Sequence, residues 1–239
     1  VSAAASRPSR GLLEGIEVVS LDAGGVLVVP RHDVLAAALV AAGLPVDVER
    51  FWAAHHHAMR AVDLARAAPE SPLAFAEYLD GFLAAIEVPV HHRSEARRHL
   101  DEVFGPPLWC HPLPGALDGV RSLAGAGLRL VVTSNADGTV ARQLRRAGVV
   151  QVGEGPGVPV EAVVDSGAVG VAKPDPAIFE LTARTMGVPV TRVLHVGDSV
   201  HYDVEAATAA GMVGVHLDPH RLCTDRTHPH VQTLGDLVS

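Results

Sequence analysis

Aspartates that close short apolar runs are the residues of this chain best suited to chemistry. Asp22 ends the run IEVVSLD and is followed by Ala23-Gly24-Gly25; Asp198 ends RVLHVGD, with Asp203 shortly after it. An aspartate can attack phosphorus or carbon to form a covalent intermediate, which splits one difficult displacement into two easier ones. Two carboxylates beside a phosphate would repel it unless a hard cation intervened, and Mg²⁺ accepts carboxylate, carbonyl and water oxygens. Ser134-Asn135, at the end of LRLVVTS, adds a hydroxyl and an amide. Lys173 adds an ammonium. It is the only lysine among 19 basic residues, and a compact ammonium suits a point contact that a planar guanidinium would crowd.

The elements that must position these groups follow from the pattern around them. IEVVSLD (16–22), LRLVVTS (128–134), VEAVVDS (160–166), RVLHVGD (192–198) and MVGVHLD (212–218) are short, β-branched apolar runs, as expected of strands buried on both faces. Helical stretches such as ALDGVRSLAGAG and TVARQLRRAG lie between them, so the pattern predicts an α/β fold, a parallel sheet with helices on both faces. Ligands of such sheets sit beyond the carboxyl ends of the strands, where Asp22, Ser134 and Asp198 would converge. Residues 31–105 break the alternation with helical spacing alone, which predicts an all-helical domain inserted after the first strand. Pro106, Pro107, Pro112 and Pro114 mark the return to the core, residues 16–30 and 106–239. Residues 1–15 read as a flexible tail and QVGEGPGVP (151–159) as a surface loop.

Composition narrows the partners. A chain of 239 residues with 48% hydrophobic residues can bury a full core, and a formal net charge of -8 opposes a broad grip on nucleic acid or on an anionic membrane. A small-molecule substrate is expected. Cys110 and Cys223 form neither a disulfide framework nor a paired zinc motif and read as ordinary packed or surface residues of a reducing compartment. The segment VSAAASRPSRGLLEG lacks the apolar core of a signal peptide, and no stretch reaches the roughly 20 apolar residues of a membrane span. The expectation is a cytoplasmic protein.

The strand-end residues, taken in order, resemble the four motifs of the haloacid dehalogenase superfamily. Asp22-Ala23-Gly24-Gly25-Val26-Leu27 resembles the first, Ser134-Asn135 the second, Lys173-Pro174-Asp175-Pro176 the third, and Gly197-Asp198-Ser199 with Asp203 the fourth. The resemblance covers nearly the whole chain, and the helical insertion falls at the family's cap position. It implies a three-layer, Rossmann-like core with Asp22 as nucleophile. Mg²⁺ would be held by Asp22, the Gly24 carbonyl and Asp198. Ser134 and Asn135 would bind substrate oxygens, Lys173 would neutralise the transferring group, and Asp203 would support the site.

One departure matters. The family's phosphatases carry a second aspartate two residues after the nucleophile, which protonates the leaving alkoxide and then activates water; here that residue is Gly24. Loss of such a group costs about 10²- to 10⁴-fold, least for leaving groups that depart as anions. The resemblance therefore implies a Mg²⁺-dependent phosphatase acting slowly through an aspartyl-phosphate on a small phosphorylated metabolite. The alternatives are a carbon-halide hydrolase, because dehalogenases of the superfamily also lack that aspartate, and a binding protein without catalysis. Phosphonate-cleaving relatives use a cap lysine, and this cap has none.

The cap carries His55-His56-His57. Consecutive helical residues point about 100° apart, so the triplet cannot offer three ligands to one metal. It reads as a solvated face, with the alternative that one histidine reaches the core and replaces the missing acid. Phe51, Trp52, Met59, Phe75, Tyr78 and Phe82 are expected to form the cap's core and its seam with the main domain.

Overall fold

The computed structural model describes residues 11–44, 46–66, 68 and 71–239, without the side chain of Pro72. The first strand, β1 (Val18–Leu21), is followed by β2 (Val28–Pro30) and then by α1 (His32–Ala41), α2 (Phe51–Ala65), α3 (Pro72–Ala85) and α4 (Val90–Val103). The chain returns through β3 (Trp109–Pro112), which pairs antiparallel with β2. Next come α5 (Ala116–Gly125), β4 (Arg129–Ser134), α6 (Val140–Ala147), β5 (Val150–Val152), β6 (Val158–Val160) and β7 (Ala162–Asp165). A short α7 (Ser166–Val169) and α8 (Pro176–Met186) lead to β8 (Val193–Gly197). A π-helical turn (Val200–Glu205), α9 (Ala206–Ala209), β9 (Val213–Leu217) and β10 (His230–Val231) complete the order. No helix among the described residues is long and apolar enough to cross a membrane.

The main sheet has the order β10-β9-β8-β1-β4-β7 with every neighbouring pair parallel. Alternation along each strand divides the side chains between two layers. Val19, Leu21, Leu130, Val132, Leu194 and Val196 pack with Val120 and Leu123 of α5 and Leu144 of α6. Val18, Val131 and Val193 face the other way, onto Ile178, Phe179 and Met186 of α8. Both faces are thus covered by helices, the arrangement a parallel sheet needs because its crossovers run over its faces. The chain builds from β1 to one side through β4 and β7, then crosses to the other side for β8. That reversal leaves a crevice beyond the carboxyl end of β1, where ligands of such sheets bind.

The five expected strands all form. The segment 151–159 contributes more than a loop, since β5 and β6 pair in parallel at its two ends. Of the expected tail, residues 1–10 lie outside the described residues, while Leu12 and Leu13 pack against the main core. The helices α1–α4 bury a core of their own, with Leu35, Leu39, Phe51, Leu79, Phe82, Leu83 and Leu100 sealed from solvent. At its centre α2 and α3 approach so closely that a Cβ at Gly81 would lie 2.9 Å from the Ala58 backbone.

Phe179, fully buried between α8 and the sheet, anchors the second layer. Phe179→Ala is expected to cost about 3–5 kcal/mol, read as a lower midpoint of urea unfolding. An unchanged midpoint would refute the packing described.

Candidate active site

Asp22 leaves the end of β1 with its N–H donating to Val196 O of β8 at 2.9 Å. Its Oδ1 accepts from Ala23 N at 2.7 Å and lies 2.9 Å from Lys173 Nζ. The same ammonium donates to Asp203 Oδ1, so the chain's one lysine sits between two carboxylates, itself 2% exposed. Asp203 is held further by Ser199 N at 3.1 Å and by His195 Nε2 at 3.0 Å. From His195 a buried hydrogen-bond chain runs through Ser20 of β1 and Thr133 of β4 to Thr182 of α8. These polar residues lie on the sheet face covered by α8, and one end of the row fixes Asp203.

The electrostatics follow from this wiring. Burial pushes the Asp203 carboxyl up, but Lys173 and His195 outweigh it and hold Asp203 below the usual carboxylate range. For Lys173, burial is outweighed by Asp203 and Asp22, which raise it. Asp22, with burial dominant over Lys173, is raised, and burial raises Asp198 well above the usual range. Single carboxylate oxygens of Asp22, Asp198 and Asp203 lie within 4.8 Å of one another. Three carboxylates against one ammonium leave an excess of negative charge, and the hard oxygen donors present suit a divalent cation such as Mg²⁺. Asp22 and Asp198 would hold it, with Gly24 lining the same cavity. Asp203, already taken up by Lys173, His195 and Ser199, supports them.

Each expected residue lies at this crevice. Ser134 ends β4 and lines the cavity. Asn135, expected to bind substrate, also grips the main chain of Lys173: its Nδ2 donates to Lys173 O and its Oδ1 accepts from Lys173 N, each at 2.8 Å. Both ends of its amide serve to place the lysine.

The helical insertion supplies histidines that the sequence had marked, one of which does reach the core, and an aspartate that it had not. Phe51, Ala54, Ala58 and Val62 form the buried stripe of α2, and His55 lies beside it. The expectation of a solvated histidine face is therefore corrected: His55 and His56 are buried, and His57 is exposed. His55 Nε2 meets Asp198 Oδ2 at 2.9 Å, with Nδ1 3.0 Å from the Tyr78 hydroxyl. His56 Nε2 donates to Gly25 O at 3.1 Å. Burial lowers both imidazoles to about 4. Two turns on, Asp63 accepts from Ser199 Oγ, from Val200 N at 2.8 Å and from His201 N at 3.1 Å, and so caps the π-helical turn from another element. Burial raises the Asp63 carboxyl against the lowering effect of Ser199. The apolar spacing of α2 carried the signal for His55; nothing local marked Asp63.

The two glycines after Asp22 differ. Gly25 has φ +66° and a Cβ there would fall 2.0 Å from Asp198 Oδ2, so the position admits glycine alone. Gly24 meets no such barrier: the nearest atom to a Cβ is Trp109 Cζ3 at 3.4 Å. The acids lining the cavity are all engaged, Asp22 and Asp203 by Lys173, Asp198 by His55 and Asp137 by Thr139. The cavity itself holds about 510 Å³ between the crevice and the helices.

A parallel α/β core with aspartates, a serine and a lysine at its strand ends, closed by an inserted helical layer, defines a class of hydrolases. Residues 16–211 match the family model described as haloacid dehalogenase-like hydrolase, and the chain belongs to that family. It is 30% identical over 112 residues to pyrimidine 5'-nucleotidase YjjG of Escherichia coli (strain K12), covering 46% of this chain and 47% of that protein. It is 37% identical over 99 residues to phosphoglycolate phosphatase of Rhodospirillum rubrum, covering 41% and 38%. The matches thus span about half or less of these relatives' length. Among solved structures, the HAD phosphatase from Thermococcus onnurineus has a TM-score of 0.56 at 18% identity, covering 93% of this chain and 96% of that one, which establishes the shared fold.

Asp63→Ala would leave three donors at the start of the π-helical turn without their acceptor. The expected result is faster amide hydrogen exchange at Val200 and His201, with stability lower by about 1–3 kcal/mol. Unchanged protection would show that Asp63 does not hold the turn.

Proposed function

We propose that this hydrolase is a Mg²⁺-dependent phosphatase that works through an aspartyl-phosphate at Asp22. The observation that carries the reading is the charge imbalance at the strand ends, three buried carboxylates and one lysine, which calls for a divalent cation and then for an anionic substrate group. Bound there, the cation would offset the repulsion between substrate and carboxylates and polarise the transferring group. Lys173 holds Asp22 in place and contributes positive charge, while Ser134 offers a hydroxyl to a substrate oxygen. His55, Tyr78 and α2 close the site over the substrate and exclude water.

The cavity narrows the substrate. Its described lining contains Lys173 and His55 but no arginine, while Met59, Val62, Phe75, Phe104, Tyr78 and Trp109 form an apolar and aromatic wall. A second carboxylate or phosphate on the substrate would find no counter-charge there. That argues against phosphoglycolate, bisphosphates and short haloacids, and favours a phosphomonoester with an uncharged, flat or apolar remainder. Gly24 points the same way, because it offers no acid two residues after Asp22 to protonate the leaving group, which then departs largely as an anion. Aryl phosphates meet both conditions.

Mg²⁺-dependent hydrolysis of an aryl phosphate is expected from the purified protein and should vanish on chelation and in Asp22→Asn. Full turnover in Asp22→Asn would remove the nucleophile assignment, and metal-independent halide release from haloacids would replace the reading with carbon-halide hydrolysis. Gly24→Asp, whose Cβ the site admits, is expected to raise turnover of alkyl phosphates by about 10²-fold or more and that of aryl phosphates far less. Equal gains on both would show that no acid was lacking.

A further inference from the structure

Outside the acidic crevice, the C-terminal residues gather a second cluster of a different chemical kind. His216 lies next to the end of β9 beside β10, and strand pairing sets it opposite His230. Asp218, accepting from Leu222 N at 2.8 Å and Cys223 N at 2.9 Å, turns the following loop so that Cys223 comes back to the same place. His228 closes the group, its Nε2 lying 4.0 Å from Cys223 Sγ and its ring stacked on His230 at 4.5 Å between centroids. One ligand atom from each of His216, Cys223, His228 and His230 lies within 4.8 Å of all the others.

The hydrogen bonds around the cluster select which atoms face inward. His216 Nε2 donates to the Asp198 carbonyl at 3.1 Å, and His230 Nε2 donates to the Asp225 carbonyl at 2.9 Å. A neutral imidazole that donates through Nε2 carries its lone pair on Nδ1. Both Nδ1 atoms are buried without a hydrogen-bond partner, and the His216 residue as a whole is 7% exposed. The nearest carboxylate to His230 Nδ1, Asp218 Oδ2, stands 3.7 Å away, beyond hydrogen-bond reach. Asp225 lies behind His228, its Oδ2 3.8 Å from Nδ1. For His216 and His230, an outer nitrogen turned to a carbonyl with the inner nitrogen bare is the arrangement that orients histidines on a metal.

We propose that His216, Cys223, His228 and His230 form a four-ligand zinc site. Three imidazole nitrogens and one thiolate suit a borderline-soft ion that favours tetrahedral coordination, and they do not suit Mg²⁺. Bond lengths of about 2.0–2.3 Å would place the ligand atoms roughly 3.3–3.8 Å apart, so the side chains close in by about 1 Å on binding. With all four positions filled by protein, the ion is structural. It staples the loop between β9 and β10 to the sheet. Through the His216 contact it also steadies the main chain of Asp198 from behind.

The test is metal analysis of the purified chain, followed by Co²⁺ titration of the metal-free protein. The expected result is one tightly held zinc per chain, and, with Co²⁺, tetrahedral visible bands accompanied by a thiolate-to-metal charge-transfer band. Cys223→Ser should lose the charge-transfer band and His228→Ala should lose tight retention, whereas Asp22→Asn should keep both. The cobalt spectrum of the unaltered protein decides the matter even if a variant fails to fold. Absence of tight zinc, or cobalt bound without the thiolate band, would overturn the site. Loss of zinc in Asp22→Asn would assign the ion to the acidic crevice and likewise overturn it.

Discussion

The placement of like charges under burial is the constraint on which the rest of the structure depends. Asp22, Asp198 and Asp203 converge because β1 and β8 run parallel and in register, so their ends meet whether or not the charges agree. At separations near 5 Å and an effective dielectric near 20, each pair of carboxylates repels by on the order of 3 kcal/mol. One ammonium, placed by Asn135 through its main chain and seated between Asp22 and Asp203, offsets part of that cost. The polar row from Thr182 to His195 secures the partner of the lysine, and Asp198 is met from the helical layer by His55.

The helical layer answers the same constraint from above. One face of α2 presents His55, His56 and Asp63 to the core, and each meets a group that would otherwise lie exposed or unpaired: the Asp198 carboxylate, the Gly25 carbonyl and the N–H groups of the π-helical turn. The seam is polar where these three side chains meet the core.

Much of the core was legible in the sequence. Strands buried on both faces are written as continuous apolar runs, and in a parallel sheet the reactive residues must stand at their ends, so Asp22, Ser134 and Asp198 could be found together. Lys173 stood out by its rarity. The remainder depended on geometry that local pattern does not encode. Strands of two to four residues, such as β10 and β3, are too short to show alternation. The rotation of α2 decides which histidine turns inward. His216 and His230 become neighbours only once β9 and β10 pair, so a lone cysteine gave no hint of the cluster around it. The grip of Asn135 on the Lys173 backbone was not legible either, because its partner is main chain.

The burial of Lys173 carries a consequence for handling the molecule. Arginines supply every other basic side chain, so the folded surface presents no ε-amine to acylating reagents, amine-directed cross-linkers or lysine-modifying enzymes. The single primary amine on a side chain lies under α2 at the heart of the crevice. Covalent modification of that one atom therefore reports how far a reagent reaches into the crevice, with no background from other lysines.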